Sequence, residues 1–269
     1  GLAPTGNAQH CNDHRPLIGC LVGASPHPTE YAAKEELMEY LPNGFCLEAA
    51  EGSFPLSTDS MVLSHFVRLP KNPSVLDLGS GCGTLGLLLC SRDENCHVTG
   101  VELSETAHRA ALENIRRNRL GSRMESICDD LRRIPETFAP GSFSCVISNP
   151  PYFSGGAAST VLPEARQETC CSLAELMHSA GWALKYGGDF FLVHKPERLA
   201  EIITEAARNG MEAKKLCLLR HREGGSVSLI LLQLRKGAKP GLILEEEALH
   251  LEDGRESPYH HKVYHKEDA

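Results

Sequence analysis

SVLDLGSGCG (74–83) is a short apolar run that ends near a carboxylate and then breaks into glycines at alternate positions, Gly79, Gly81 and Gly83. SVLDL (74–78) reads as a buried strand and TLGLLLCS (84–91) as an apolar helix. Glycines between the two let a ligand lie against bare backbone, and the helix offers it unpaired N–H groups. The same alternation repeats outward. HVTGVEL (97–103) is a strand, and SETAHRAALENIRRNR (104–119) a helix capped by Ser104, with Ala107, Ala111, Leu112 and Ile115 on its inner face. MESICDDL (124–131) and SFSCVIS (142–148) read as strands, and LAELMHSAGWALKYGG (173–188) as a helix with a glycine stop. DFFLVH (189–194) is a further strand and PERLAEIITEAARNG (196–210) a helix with proline in its first turn. MEAKKLCLL (211–219) and SVSLILLQL (226–234) close the series as an antiparallel pair. Strands separated by helical stretches mean crossover units. The expected fold is α/β: a doubly wound, mostly parallel seven-stranded sheet with a C-terminal antiparallel hairpin.

Around that core the chain is expected to divide in four. Residues 1–30 mix Pro, Gly, His and Asn without periodicity and read as an extension. Residues 31–70 hold a helix in YAAKEELMEYL (31–41), short strands, and a second helix capped by Thr58 or Asp59. Residues 71–240 form the main domain, and 241–269 a charged, His-rich tail. Lys and Arg number 27 against 35 Asp and Glu, a net charge of −8, which argues against sequence-blind nucleic-acid binding. No apolar run reaches the ~18 residues of a membrane span. The eleven cysteines are odd in number and contain no CxxC pair, so neither a zinc ribbon nor a disulfide framework is expected. With no secretory signal visible, a reducing, cytoplasmic setting is expected. His260, His261 and His265 lack an acid or Cys partner at ligand spacing, and no metal is expected. The sequence leaves monomer and homodimer both open.

The glycine loop fits two cofactors. Gly81, Gly83 and Gly86 match G-x-G-x-x-G with Glu102 about twenty residues on, the pattern of a dinucleotide site. Asp77 at the end of the first strand, however, is awkward beside a pyrophosphate and well placed for an ammonium. S-adenosylmethionine carries an ammonium and a sulfonium and no phosphate. Glu102, ending the second strand, could accept both ribose hydroxyls. Asp130, ending the third, could take the adenine amine, with the backbone after it near the ring. All three acids lie at carboxyl ends of adjacent strands, where open α/β sheets bind ligands.

ISNPPYF (147–153) follows the fourth strand. Two prolines stiffen the turn and remove donors, which leaves the Pro150 carbonyl and the Asn149 amide oxygen as acceptors beside the flat face of Tyr152. That suits a planar molecule with an exocyclic amine.

Taken together, these motifs resemble the class I S-adenosylmethionine-dependent methyltransferases with an NPPY motif, and among them the valine tRNA adenine-N6 methyltransferases. The likeness runs from about Tyr31 to Tyr264. It includes NGFCLEAAEGSFPLSTDSMVLSHF (43–66), DLGSGCG (77–83), GVEL (100–103), NPPYF (149–153), LVHKPERLAEII (192–203) and KPGLILEEEALHLEDGRESPY (239–259). In ARQE (165–168) Gln167 stands where the family more often has His. The resemblance implies a Rossmann-like methyltransferase fold. It implies that Asp77, Gly79 and Gly81, with Ser80 and Gly83 of the same loop, hold the methionine end of the cofactor. Glu102 and Leu103 would take the ribose side, Asp130 and Leu131 the adenine, and Asn149 would border the cofactor as well. Asn149, Pro150, Pro151 and Tyr152 would form the catalytic turn around the target amine of an RNA, expected to be tRNA. Three other functions share parts of the pattern. They are glutamine-N5 methylation of a protein, guanine-N2 methylation of ribosomal RNA, and non-catalytic NAD binding.

Overall fold

The computed structural model describes residues 38–41, 44–48, 56–150 and 171–264. Pro151, Tyr152, Gln167, His265 and the extension expected at 1–30 lie outside the described residues.

Strands β1 (Met38–Tyr40) and β2 (Cys46–Glu48) pair antiparallel. The other eight build one sheet: β3 (Ser74–Leu78), β4 (His97–Glu102), β5 (Met124–Cys128), β6 (Phe143–Ser148), β7 (Leu184–His194), β8 (Met211–Arg222), β9 (Val227–Lys236) and β10 (Ile243–His250). Their order is β10-β8-β9-β7-β6-β3-β4-β5. Five consecutive strands, β7-β6-β3-β4-β5, run parallel, and β9 pairs antiparallel with both β7 and β8.

Side chains that alternate along each strand feed two cores. Cys145, Ile147, Phe191 and Val193 face the layer that holds α1 (Thr58–Phe66), α2 (Thr84–Arg92) and α3 (Glu105–Arg117). Phe143, Val146, Phe190 and Leu192 face the layer with α4 (Ile134–Thr137), α5 (Leu173–Ala183) and α6 (Leu199–Arg208). A last helix, α7 (Pro258–Val263), buries Val263 in the first core. The chain leaves β3 toward β4 and β5, then returns to β6 on the other side of β3. Loops after β3 and β6 therefore part in opposite directions, and a crevice opens at their carboxyl ends.

Several sequence expectations are refined. The sheet has eight strands because β10, drawn from the charged stretch after 240, adds parallel to β8. Its EEE centre hides it from hydropathy, and as an edge strand it buries only Leu249. The helix expected through 188 stops at Ala183, and β7 begins at Leu184. Phe143 pairs with Leu184 but Cys145 with Asp189, so Lys185–Gly188 bulge out of the ladder. Met38–Tyr40, expected within a helix, is a strand. Ser57, rather than Thr58 or Asp59, caps α1 through the Ser60 N–H. Leu112 points to solvent, and Asn114 takes the inward place on α3.

Candidate active site

The loop after β3 is tied to the end of β4. The N–H groups of Gly79 and Ser80 both donate to the Val101 carbonyl, at 2.9 and 3.1 Å. Gly79, Gly81 and Gly83 have φ of +73°, +56° and +87°, in the left-handed region where a side chain is strained. Ser80 tucks inward, and a Cβ on Gly100 would lie 2.7 Å from its Oγ, so glycine at 100 keeps that seat open. Space is open where Cβ atoms on Gly79 and Gly81 would project.

Glu102 fixes the same loop with its carboxylate. Oε2 accepts from Gly81 N–H and Oε1 from Ser104 N–H, both at 2.8 Å. Each oxygen keeps a second lone pair for a hydroxyl. Leu103 beside it is 48% exposed, an apolar surface at the rim.

Asp77 is 1% exposed, and neither of its carboxylate oxygens finds a donor among the described residues. Burial, reinforced by Glu102, pushes its carboxyl up to about 8. A buried carboxylate without a donor is costly in the free protein and favourable once a cation is placed beside it. That matches an ammonium–sulfonium ligand and opposes a pyrophosphate.

Asp130 caps the 3-10 turn Leu131–Arg133 through Arg132 N–H at 2.9 Å, and the Arg132 guanidinium clamps its carboxylate. That clamp holds its carboxyl below the usual carboxylate range. Leu131, half-buried, supplies the Oγ partner of Ser179 through its carbonyl, at 2.8 Å.

Asn149 follows β6 directly. Ser148 Oγ donates to the Leu78 carbonyl at 2.7 Å, and Asp77 and Ile147 are register partners, so the turn after β6 starts beside the glycine loop. The Asn149 Nδ2 donates to Ser60 Oγ of α1 at 3.2 Å. Pro150 is buried. Asp77, Glu102, Asp130 and Asn149 thus stand on one rim, at the ends of four adjacent strands.

Two parts of the site carry no sequence signal of the kind used above. Asn114, fully buried, accepts from Glu48 N–H at 2.8 Å and donates to the carbonyls of Glu48, at 2.9 Å, and Cys82, at 3.0 Å. One turn on, Asn118 makes the same pair with Cys46, at 2.9 and 2.7 Å. Two asparagines on one helix face therefore act as a strand edge for β2 and hold the glycine loop too. The other part is Ser60. At the opposite end of the chain, Tyr264 Oη donates to Thr58 Oγ1 at 3.3 Å and joins the residues after α7 to the start of α1. The arginines at 116, 117 and 123 are consumed structurally, on Glu113, Glu48 and the carbonyls of Cys90 and Asp93. Among the described residues no group of three His, Cys, Asp or Glu is arranged to hold a metal ion.

The profile of the methyltransferase small domain matches residues 57–214, from the cap of α1 into β8. The chain belongs to the methyltransferase small-domain family. It is a methyltransferase, with S-adenosylmethionine as methyl donor, and the buried Asp77 beside open glycine backbone fits that donor. A tRNA1(Val) (adenine(37)-N6)-methyltransferase of Tolumonas auensis is 30% identical over 221 residues, which are 80% of this chain and 90% of the relative. An enzyme of the same name from Actinobacillus pleuropneumoniae is 28% identical over 74% of this chain and 82% of its own length. A solved predicted O-methyltransferase from Agrobacterium tumefaciens superposes with a TM-score of 0.65 at 22% identity, covering 77% of this chain and 96% of the other. That likeness shows the shared fold. No described helix is long and apolar enough to cross a membrane.

Proposed function

We propose that this methyltransferase moves the methyl group of S-adenosylmethionine to the exocyclic N6 amine of an adenine in RNA, and that the RNA is tRNA. The observation that carries the reading is Asn149. Its amide nitrogen donates to Ser60 Oγ, which would leave its oxygen to accept from the target amine beside the glycine loop. The names of its relatives from Tolumonas auensis and Actinobacillus pleuropneumoniae support the same target.

The donor supplies an electrophilic methyl on a sulfonium. Asp77 would take its ammonium, the glycine backbone its methionine end, and Glu102 its ribose. Leu103 would lie on the ribose side and Leu131 beside the adenine ring. Asp130 would reach the ring's amine with lone pairs not used by Arg132. An aromatic amine is a weak nucleophile because its lone pair spreads into the ring. Acceptors at Asn149 Oδ1 and the Pro150 carbonyl would bond its two N–H groups, favour a pyramidal nitrogen and aim the lone pair at the methyl. Pro151 would stiffen the turn and Tyr152 stack on the base. This is positioning and electrostatics without a strong base. The target adenine must leave its stack to enter, which costs least in a loop. We place the protein in a reducing cytoplasm, a reading that the eight free cysteines among the described residues support.

Asn149→Ala tests the role of the turn. Transfer to RNA is expected to fall at least about a hundredfold, the scale of losing one preorganised polar contact at a reacting centre. S-adenosylmethionine affinity should change less than about threefold. Undiminished transfer would remove Asn149 from the chemistry.

A further inference from the structure

β7 ends at His194, level with Ile230 of β9, and Ile230 pairs in turn with Leu218 of β8. β8 runs on past Leu218 for four residues, to Arg222, and β10 runs beside it to His250. Both strands point the same way as β7, so their ends stand about 13 Å beyond its end at ~3.3 Å per residue. They raise a wall on one side of the crevice. The cationic donor is assigned to the other side, where Asp77, Glu102 and Asp130 follow β3, β4 and β5, and Asn149 lies between, after β6. A substrate that reaches Asn149 without displacing the donor comes in along the wall.

The wall carries a row of flat rings. His221 is exposed, and its ring lies 4.8 Å from that of His250. His250 is 5.6 Å from His260 of α7, and His260 stacks on Tyr264 at 4.4 Å and 23°. Tyr264 Oη reaches Thr58 at 3.3 Å, two residues before Ser60, the partner of Asn149. Ring meets ring from the top of the wall to the helix that bonds Asn149. Backbone holds the row from behind: Glu223 N–H donates to the His250 carbonyl at 2.9 Å, and His250 Nδ1 donates to the His221 carbonyl at 3.0 Å. Arg222 is exposed next to His221 and lies against the turn at Gly254. Glu223, Glu252 and Asp253 are exposed on the same turns, and Asp253 is paired with Arg255 at 2.7 Å, so bulk positive charge is not what this surface offers. Flat faces beside a guanidinium suit unstacked bases and the phosphate between them.

We propose that this wall is the RNA-docking surface, and that nucleotides next to the target adenosine lie along it, with a base stacked on His221 and a phosphate on Arg222. This rests on the reading of the substrate as RNA. The surface takes a single strand, because bases in a duplex keep their faces covered. That agrees with a target adenine that must leave its stack. Neither residue touches the donor or the target base, so both act on RNA affinity and leave the chemical step alone.

The test measures Kd for unmodified tRNA by filter binding at several salt concentrations, beside methyl transfer from labelled S-adenosylmethionine. His221→Ala is expected to raise that Kd about tenfold, the scale of one lost base–ring stack. His221→Phe restores a flat face without a polar edge and should bring Kd back to within about threefold of the parent. Arg222→Ala should weaken binding too, and should flatten the dependence of log Kd on log salt by about 0.7, the share of one phosphate on a single strand. In all three, kcat and Kd for S-adenosylmethionine should stay within about twofold and the thermal midpoint within a few degrees, because both side chains are exposed. A wild-type Kd in His221→Ala, no recovery in His221→Phe, or an unchanged salt slope in Arg222→Ala would each overturn the surface. Losses in donor affinity or thermal stability that match the rise in Kd would overturn it as well, since they mark structural residues. A parent enzyme that labels added protein and no RNA would bring down the reading of the substrate instead.

Discussion

Asn114→Ala should be among the most damaging single changes that leave every proposed ligand contact in place. Asn114 is fully buried and satisfies three backbone groups: the N–H and C=O of Glu48 and the C=O of Cys82. Alanine removes all three bonds and supplies nothing in return. At about 1 kcal/mol for each bond, the loss is about 3 kcal/mol. The Glu48 groups sit on a two-stranded ribbon near the surface and can recover water. The Cys82 carbonyl lies between α3 and the glycine loop and cannot, so its share falls at the upper end of the range. For a chain of this size, ~3 kcal/mol lowers the thermal midpoint by about 6–12 °C. Calorimetry and urea unfolding of the two proteins would read this directly. Asn118→Ala is the internal control. Its bonds to Cys46 lie in a half-buried position and water can replace them, so it should cost about half as much. Because Asn114 also holds Cys82, its loss should loosen the donor site, and Asn118 should not. An Asn114→Ala protein within 1 kcal/mol of the parent, or a ranking with Asn118 the costlier, would refute the reasoning.

Three further outcomes follow from the acids. Asp77 holds its proton up to about pH 8 in the folded protein, whereas the unfolded chain releases it near 3.8. Between those values the unfolded state binds fewer protons, so stability of the ligand-free protein must fall as pH rises, by up to about 1.4 kcal/mol per unit from this group, and level off above about 8. Asp77→Asn should remove that part of the slope in thermal scans, and parallel curves for the two proteins would contradict it. An ammonium placed beside Asp77 lowers its carboxyl again. Binding of S-adenosylmethionine near neutral pH should therefore release close to one proton, seen as a buffer-dependent enthalpy in titration calorimetry. Glu102→Ala removes the acceptor of two backbone N–H groups and the proposed ribose contact. It should weaken donor affinity about ten- to a hundredfold, the scale of hydrogen bonds to a charged group. Unchanged affinity would place the ribose elsewhere.

Much of the scaffold was legible because local signals agreed with the global fold. SVLDL is a strand over the span expected, and the acids at 77 and 102 lie at the ends of adjacent strands as their positions implied, whereas β5 stops at Cys128 and Asp130 follows it as the cap of the 3-10 turn. What stayed hidden has physical causes. LKYGG continues the helical pattern of 173–183 on paper, yet Leu184 turns extended and pairs with Phe143. β10 lies at a sheet edge, where Glu245, Glu246 and Glu247 keep access to solvent. Leu112 fits an apolar stripe better than Asn114 does, but β2 needs amide partners on that face, and only tertiary contact reveals it. Ser60 and Asn149 meet across 89 residues of sequence. A pair of asparagines, at 114 and 118, one helical turn apart at the end of an amphipathic helix, is the hint that the sequence does hold.

The central claim is the identity of the methylated atom. Purified protein would be incubated with labelled S-adenosylmethionine and unmodified tRNA, and the RNA digested to nucleosides and separated. The account predicts label in N6-methyladenosine. Label in a guanosine derivative, or in added protein glutamine with none in RNA, would contradict it.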